Sequence, residues 1–272
     1  VSPARLWISA SAILAVLALI FIAIGYRNAT ADPLVRRLTL TVAGYPADAA
    51  PTRIVLFSDV HVHGPDMPPQ RLEKIVEQIN ALHPDIDIGA GDFIGNNIVG
   101  RDYPVAEAVA PLRRLKARYG VFAVLGNNDY EAGATEVIRA LHAAGVKILR
   151  YDAARAGPIA IGGLEGVYRF PAAVRDGRTR TFEALDRLSG VKVLVAHRPD
   201  EFADAPQRIS LILAGHTHCG QIVLPVLGPV ETGSDFGRRF LCGVVRSGSK
   251  VLVVTAGLGT SHVPLRIGAP SD

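Results

Sequence analysis

The chain opens on one apolar block and then changes character. From Leu6 to Ile24, "LWISASAILAVLALIFIAI", 19 consecutive residues carry neither charge nor proline. At about 1.5 Å per residue, a helix over this stretch spans roughly 28 Å, close to the thickness of a bilayer's hydrocarbon core. A helix of this length buried in a soluble protein normally shows a polar stripe. Trp7 and Tyr26 flank the run, as interfacial aromatics do. Residues 1–27 are therefore read as a membrane anchor. A cleaved signal fits less well, because the run exceeds the usual core of about 7–15 residues and Arg27 intrudes before the small residues Ala29 to Ala31. Residues 28–51 read as a connector, with prolines at 33, 46 and 51 around one alternating stretch, "RRLTLTV".

From Arg53 the pattern becomes short apolar runs that end in polar or glycine-rich turns. "RIVLFS" (53–58), "DIDIGA" (85–90), "VFAVL" (121–125), "VKVLVA" (191–196), "ISLILA" (209–214) and "KVLVVTA" (250–256) predict buried strands. Between the first two, Leu72, Ile75, Val76, Ile79 and Leu82 recur at the spacing of an amphipathic helix, with Pro69 near its start. Residues 103–120 and 134–145 predict two more helices, the first interrupted by Pro111 and the second stopped by Gly145. The front half thus alternates β and α, and the back half is mostly strands and turns. Residues 52–272 are expected to form one α/β domain with its sheets buried between helices.

Composition adds limits. With 272 residues, 49% of them hydrophobic, the chain can build a large single core. A net charge of +4, without a Lys/Arg block or aromatic–basic interleaving, gives no support to a nucleic-acid partner. Arg5 precedes the apolar run and Arg27, Arg36 and Arg37 follow it, a count that mildly favours a cytoplasmic domain; insertion as a signal would export it instead. The two cysteines, Cys219 and Cys242, make no disulfide framework, and sequence does not say whether they are bridged. Oligomeric state is equally open.

Candidate chemistry lies where the strands end. The first is followed by Asp59-Val60-His61, the second by Gly91-Asp92 and the third by Gly126-Asn127-Asn128-Asp129. His197 closes the fourth, and Gly215-His216-Thr217-His218 closes the fifth. If these strands run the same way, their ends meet on one edge, where α/β proteins build sites. Strand alternation would put Asp59 and His61 on one face, within reach of one ion, and His216 and His218 in the same relation. A carboxylate such as Asp92 can bridge two cations. Mixed nitrogen and oxygen donors suit Mn, Fe or Zn better than Ca or Mg. Two such ions about 3.5–4 Å apart would clamp a phosphoryl group and generate hydroxide. Any one of these pairs alone reads as a surface turn; five in order do not. Away from the strand ends, His83 and His142 read as surface residues, and Asp87 as a mid-strand acid that pairs locally. Arg198 is either a phosphate contact or a solvated cation. Residues 167–188, with five arginines and two phenylalanines, read as a basic loop leading into a helix rather than a cover over substrate.

These residues resemble the calcineurin-like metallophosphoesterase superfamily. The five blocks of that superfamily occur here as "SDVHVH", "AGDFIGNN", "LGNND", "AHRPD" and "AGHTHCGQ". "GHTHCGQ", "HRPD" and the late "TAGLGTSHVPLRIG" look most like its membrane-associated branch, which includes hydrolases of UDP-2,3-diacylglucosamine and other phosphodiesterases. The resemblance implies a four-layer fold, two central mixed sheets flanked by helices. It implies one divalent ion on Asp59, His61, Asp92 and His218, and a second on Asp92, Asn127, His197 and His216. Asn127, Asn128 and Asp129 fall on the catalytic block. There Asn128 replaces the histidine that usually protonates the leaving oxygen, a contribution typically worth about 10²–10⁴-fold. The expected substrates are therefore phosphodiesters or pyrophosphates whose leaving group departs unprotonated, in a phosphorylated small molecule or lipid. Asn128 would then bond a phosphate oxygen and Asp129 would hold the turn; His63 and His262 are the substitute acids. Where the family commonly has glycine, Cys219 is expected to serve as a small residue. A metal-binding protein without catalysis and a general phosphomonoesterase are the competing functions.

Overall fold

The computed structural model describes residues 3–166 and 171–272. Its first element, α1 (Pro3–Thr30), exposes every residue from 11 to 24, and only near its end do Gly25 and Ala29 become buried against the rest of the chain. Ser11–Thr30 is long and apolar enough to cross a membrane. The connector holds neither strand nor helix after α1, yet Leu40, Val42 and Tyr45 from it pack on the domain core.

The domain follows as β1 (Ile54–Phe57), α2 (Pro69–Asn80), β2 (Ile86–Gly89), α3 (Val105–Val109), β3 (Val121–Ala123), α4 (Asn127–Glu131), α5 (Ala134–Ala143) and β4 (Lys147–Ile148). A hairpin of β5 (Ala153–Ala156) and β6 (Ile159–Leu164) leads to α6 (Pro171–Asp186), β7 (Val191–Ala196), α7 (Glu201–Asp204) and β8 (Leu211–Ala214). A short ribbon of β9 (Val223–Leu224) and β10 (Gly228–Pro229) precedes the closing pair, β11 (Gly243–Ser247) and β12 (Lys250–Val254). Proline punctuates as expected: Pro69 opens α2, and α3 tightens into a 3₁₀ turn at Ala110–Arg114 around Pro111. Of the basic stretch 167–188, residues 167–170 lie outside the described residues, and α6 forms most of the remainder.

Two sheets result. One runs β1-β2-β3-β4, parallel throughout; the other runs β11-β12-β8-β7-β6-β5, with a parallel centre and antiparallel strands at both edges. Alternation along each strand separates the layers. Ile54, Leu56, Ile86, Ile88 and Phe122 face Val191, Val193, Val195, Leu211 and Leu213 between the sheets. Phe57 and Ala123 face the other way, onto α2, α3 and α5 through Leu72, Val76, Val109, Val137 and Leu141. On the far side, Leu194, Ala196, Ile212 and Ala214 meet Leu185, Phe202 and Phe240. The layers are helix, sheet, sheet, helix. Burial on both faces is why the strands read as unbroken apolar runs.

Asp87 breaks this pattern. It sits mid-strand in β2, fully buried, and neither carboxyl oxygen has a hydrogen-bond partner among the described residues. The expected local pairing is absent there because the strands beside it place Val55 and Val121 opposite. Burial alone pushes its carboxyl up to about 7.

Candidate metal centre

β1, β2, β3, β7 and β8 all run the same way within their sheets, so the loops after them gather at one edge between the two layers. Strand alternation does not place the ligands, however. β1 ends at Phe57 and β8 at Ala214, so the Asp59–His61 and His216–His218 pairs lie in loops. Asp59, His61, Asp92, His216 and His218 all adopt positive φ, between 45° and 70°. Left-handed backbone is costly for such residues and persists where surrounding structure demands it. Here it turns consecutive side chains inward, and it turns His216 and His218 apart, toward different partners. Glycines give the room: a methyl on Gly126 would overlap Asp92 Oδ1, and one on Gly215 would overlap Asp59 Oδ2.

Two trios of ligand atoms form, Asp59 with His61 and His218, and Asp92 with His197 and His216. In the first, His61 Nε2 and His218 Nε2 lie 3.1 Å apart, with Asp59 Oδ1 at 3.8 and 3.5 Å from them. In the second, His197 Nε2 lies 3.1 Å from His216 Nδ1, 3.3 Å from Asp92 Oδ2 and 3.2 Å from Asn127 Oδ1. Asp92 Oδ2 is also 3.6 Å from His61 Nε2, so this one oxygen stands between the trios.

The donors fit divalent cations. Asp59 Oδ1 is buried and has no hydrogen-bond partner among the described residues, and a buried acceptor left so is expensive unless a cation meets it. His197 Nδ1–H donates to the Ala90 carbonyl at 2.7 Å, which leaves the Nε2 lone pair facing the centre. Burial, reinforced by His197 at the first and by His61 and Arg266 at the second, keeps His216 down at about 3 and His218 well below the ordinary range. Burial lowers His61 too, although Asp92 and Asp59 oppose it. Burial alone would raise Asp92, but His197, His61 and the Asn128 hydrogen bond outweigh it and hold the carboxyl well below the usual range. Burial would lower His197, but Asp92 outweighs it and raises the ring to about 9, so a cation binding at Nε2 displaces a proton there, while the other three imidazoles already stand neutral beside an ionised carboxylate.

Asn128 and Asp129 hold the centre together. Asn128 donates to Asp92 twice, from its backbone N to Oδ1 and from Nδ2 to Oδ2, both at 2.8 Å. One N–H of the Asn128 amide is thus engaged with Asp92, and its oxygen is buried without a hydrogen-bond partner among the described residues. The Asp129 carboxylate accepts from the backbone N–H groups of Asp92, Phe93, Ile94 and Gly126, tying the second ligand loop to the third.

A match to the family model described as calcineurin-like phosphoesterase covers residues 52–220. The chain belongs to the calcineurin-like phosphoesterase family. A zebrafish (Danio rerio) protein named "Transmembrane protein with metallophosphoesterase domain" is 30% identical over 94% of this chain. The Bacillus subtilis metallophosphoesterase YkuE is 33% identical over 81% of the chain and 76% of its own length. This chain spans 61% of the zebrafish protein. Among solved structures, a 5′-nucleotidase precursor from Thermus thermophilus superposes with a TM-score of 0.49 at 14% identity, over 76% of this chain and 49% of that one. None of these phosphoesterase relatives is named as a UDP-2,3-diacylglucosamine hydrolase, and that narrower likeness is not carried further.

Around the phosphoesterase ligands, several residues have roles that sequence reasoning passed over. Cys219, expected to serve as a small residue, is instead disulfide-bonded to Cys242. The loops meet because Thr217 Oγ1 donates to the Leu241 carbonyl at 2.6 Å. Arg266 is fully buried; its guanidinium donates to the carbonyls of Ala256, Gly259 and Ala269 and lies 3.4 Å from His218 Nδ1. A single arginine amid the apolar "VPLRIG" is the only signal it left. Asp66, Asn97 and Thr260 form a buried triangle of hydrogen bonds joining three loops. Of the substitute acids, His63 is buried 3.3 Å from the Asp102 carboxylate, whereas His262 is exposed. Arg198 pairs with Asp235 at 3.2 Å and Asp200 at 3.5 Å. His83 and His142 are exposed, as expected.

Proposed function

We propose that this chain is a membrane-anchored, two-metal phosphoesterase that hydrolyses a phosphodiester or pyrophosphate bond in a phosphorylated small molecule or lipid. The observation that carries this is the position of Asp92 Oδ2 between two ligand trios, 3.6 Å from His61 and 3.3 Å from His197. Asp59, His61, Asp92 and His218 would hold one ion, and Asp92, Asn127, His197 and His216 the other, with Mn, Fe or Zn suited to the donors. When bound, such a pair supplies Lewis acidity toward phosphoryl oxygens and makes water acidic enough to serve as nucleophile at neutral pH. The chain's own part is positioning. Asn128 fixes both oxygens of Asp92, Ala90 orients the His197 ring, and Asp59 Oδ2 accepts from His216 N at 2.8 Å.

With an amide at position 128, no imidazole donates a proton there. Substrates with good leaving groups, an aryl oxide or a phosphomonoester leaving a pyrophosphate, suit such a site. The full chain in detergent, loaded with manganese, should cleave bis-p-nitrophenyl phosphate and a nucleoside-diphosphate ester while a simple alkyl monoester stays nearly inert. Asn128→His should raise alkyl monoester hydrolysis at least tenfold; an unchanged preference would sink the leaving-group argument. No hydrolysis with manganese, iron or zinc would favour the metal-binding protein without catalysis.

For the membrane side, the Cys219–Cys242 bridge supports a domain in an oxidising compartment, against the mild arginine count. Arg36 is itself engaged by the Asp272 carboxylate. Alkylation of both cysteines in intact cells without added reductant would overturn that orientation.

A further inference from the structure

Two of the loops that supply ligands carry bare apolar tips. One leaves β2 through Asp92 and reaches Ile98 and Val99, 76% and 50% exposed. The other leaves β8 through His216 and His218 and, at the turn of the β9–β10 ribbon, reaches Val226 and Leu227, 106% and 73% exposed. Val226 has φ +69°, a strained conformation for a β-branched residue. Val230, just past the ribbon, is 68% exposed.

Both tips neighbour the point where α1 meets the domain. Arg266 N donates to the Gly25 carbonyl at 2.9 Å, Asn28 Nδ2 donates to the Arg266 carbonyl at 3.1 Å, and Leu265 and Ile267 press against Gly25. Ile267 in turn pairs with the base of the ribbon, accepting from Val223 N at 2.8 Å. On the other side, Tyr26 OH donates to the Pro65 carbonyl at 3.5 Å, and the adjacent Gly64 N donates to the Arg101 carbonyl at 2.9 Å, just beyond the first tip. Gly25 and Tyr26 stand where the apolar run of α1 ends, which is the level of the lipid headgroups if that helix spans a bilayer. Cations stand at the same places. Exposed Arg101 follows the first tip, and exposed Arg238 donates to the Leu227 carbonyl at 2.9 Å on the second, with Arg239 beside it. Apolar side chains ringed by arginine are the chemistry of insertion into a phosphate-rich interface.

We propose that the tips at Ile98–Val99 and Val226–Leu227 seat in the bilayer that α1 enters, so that the metal centre faces headgroup phosphates. This rests on the membrane-anchored phosphoesterase reading, and it narrows the substrate to a phosphate ester presented at the lipid surface. Arg266 joins ligand to anchor directly: its guanidinium lies 3.4 Å from His218, and its backbone N bonds Gly25.

The test uses the full chain in nanodiscs of phosphatidylcholine and phosphatidylglycerol, with and without brominated acyl chains, in a Trp7→Phe background. Leu227→Trp should lose at least half its fluorescence to the brominated lipid. His142→Trp, exposed at the opposite ends of the strands, should lose none. Unquenched emission from L227W overturns the proposal, whether the tip stays in water or is covered by a second copy or another protein. In a second arm, the variant Val226→Asp/Leu227→Asp should cleave soluble bis-p-nitrophenyl phosphate at the unaltered rate. It should cleave a p-nitrophenyl hexadecyl phosphodiester embedded in the same discs at least tenfold more slowly. Equal rates on the embedded diester also overturn the proposal. Failure of the unaltered chain to cleave the soluble diester would instead count against the phosphoesterase reading, and quenching would still decide the seating.

Discussion

Asp87 and Asp92 show how far environment separates two acids of one chain. They are five positions apart, both buried, and pushed in opposite directions, Asp92 down by two imidazoles and an amide, Asp87 up to about 7 by burial alone. Asp87 carries a stability consequence. Its folded pKa lies above its unfolded value of about 3.8, so its full contribution is present below pH 4 and is lost as pH rises through 7. At about 1.4 kcal/mol per tenfold, the loss is on the order of 4 kcal/mol. Asp87→Asn should therefore be more stable than the unaltered chain at pH 8 and no more stable at pH 4, read by denaturant titration at both values. An equal difference at the two values would refute the assignment. Residue types were legible in the sequence, since each of the seven candidate ligands follows a strand. The backbone that turns them inward was not: positive φ at Asp59 or His216 is dictated by packing and flanking glycines, and no period in the sequence records it.

At the scale of elements, the disulfide secures the loop that carries His216 and His218. Cys219 directly follows His218, and the bridge closes over a sequence separation of 23. A closed loop of that length restricts the unfolded chain by about 3 kcal/mol. Replacing both cysteines by alanine should lower the unfolding midpoint by roughly 5–10 °C. It should also weaken metal retention most at the trio containing His218; a variant that melts and binds metal like the unaltered chain would show the bridge to be incidental. The six apolar runs read from the sequence all contain strands. The β5–β6 hairpin was missed because Gly162 and Gly163 dilute its pattern, and those glycines are required where Leu185 and Leu149 press on the strand. The alternating "RRLTLTV" forms no strand: Leu40 and Val42 found burial on the core without a sheet partner.

Across the whole molecule, the order of strands and polar ends made the α/β class readable, while the way α1 docks was hidden. Gly25, Asn28 and Ala29 look like any helix end in sequence, and only the fold brings Leu265, Arg266 and Ile267 to them. That docking links α1, Arg266 and His218 in one line, so the distance between the end of the apolar helix and the candidate ligands is set by packing rather than by a loose tether. On the proposed reading, seven side chains from five loops would hold a pair of cations about Asp92. The direct measurement is metal content, by elemental analysis of the full chain loaded with manganese and freed of excess by gel filtration, for the unaltered protein and for His61→Ala and His216→Ala. Two ions per chain, falling to one or fewer in each variant, is the predicted result. One ion or none in the unaltered chain would contradict it.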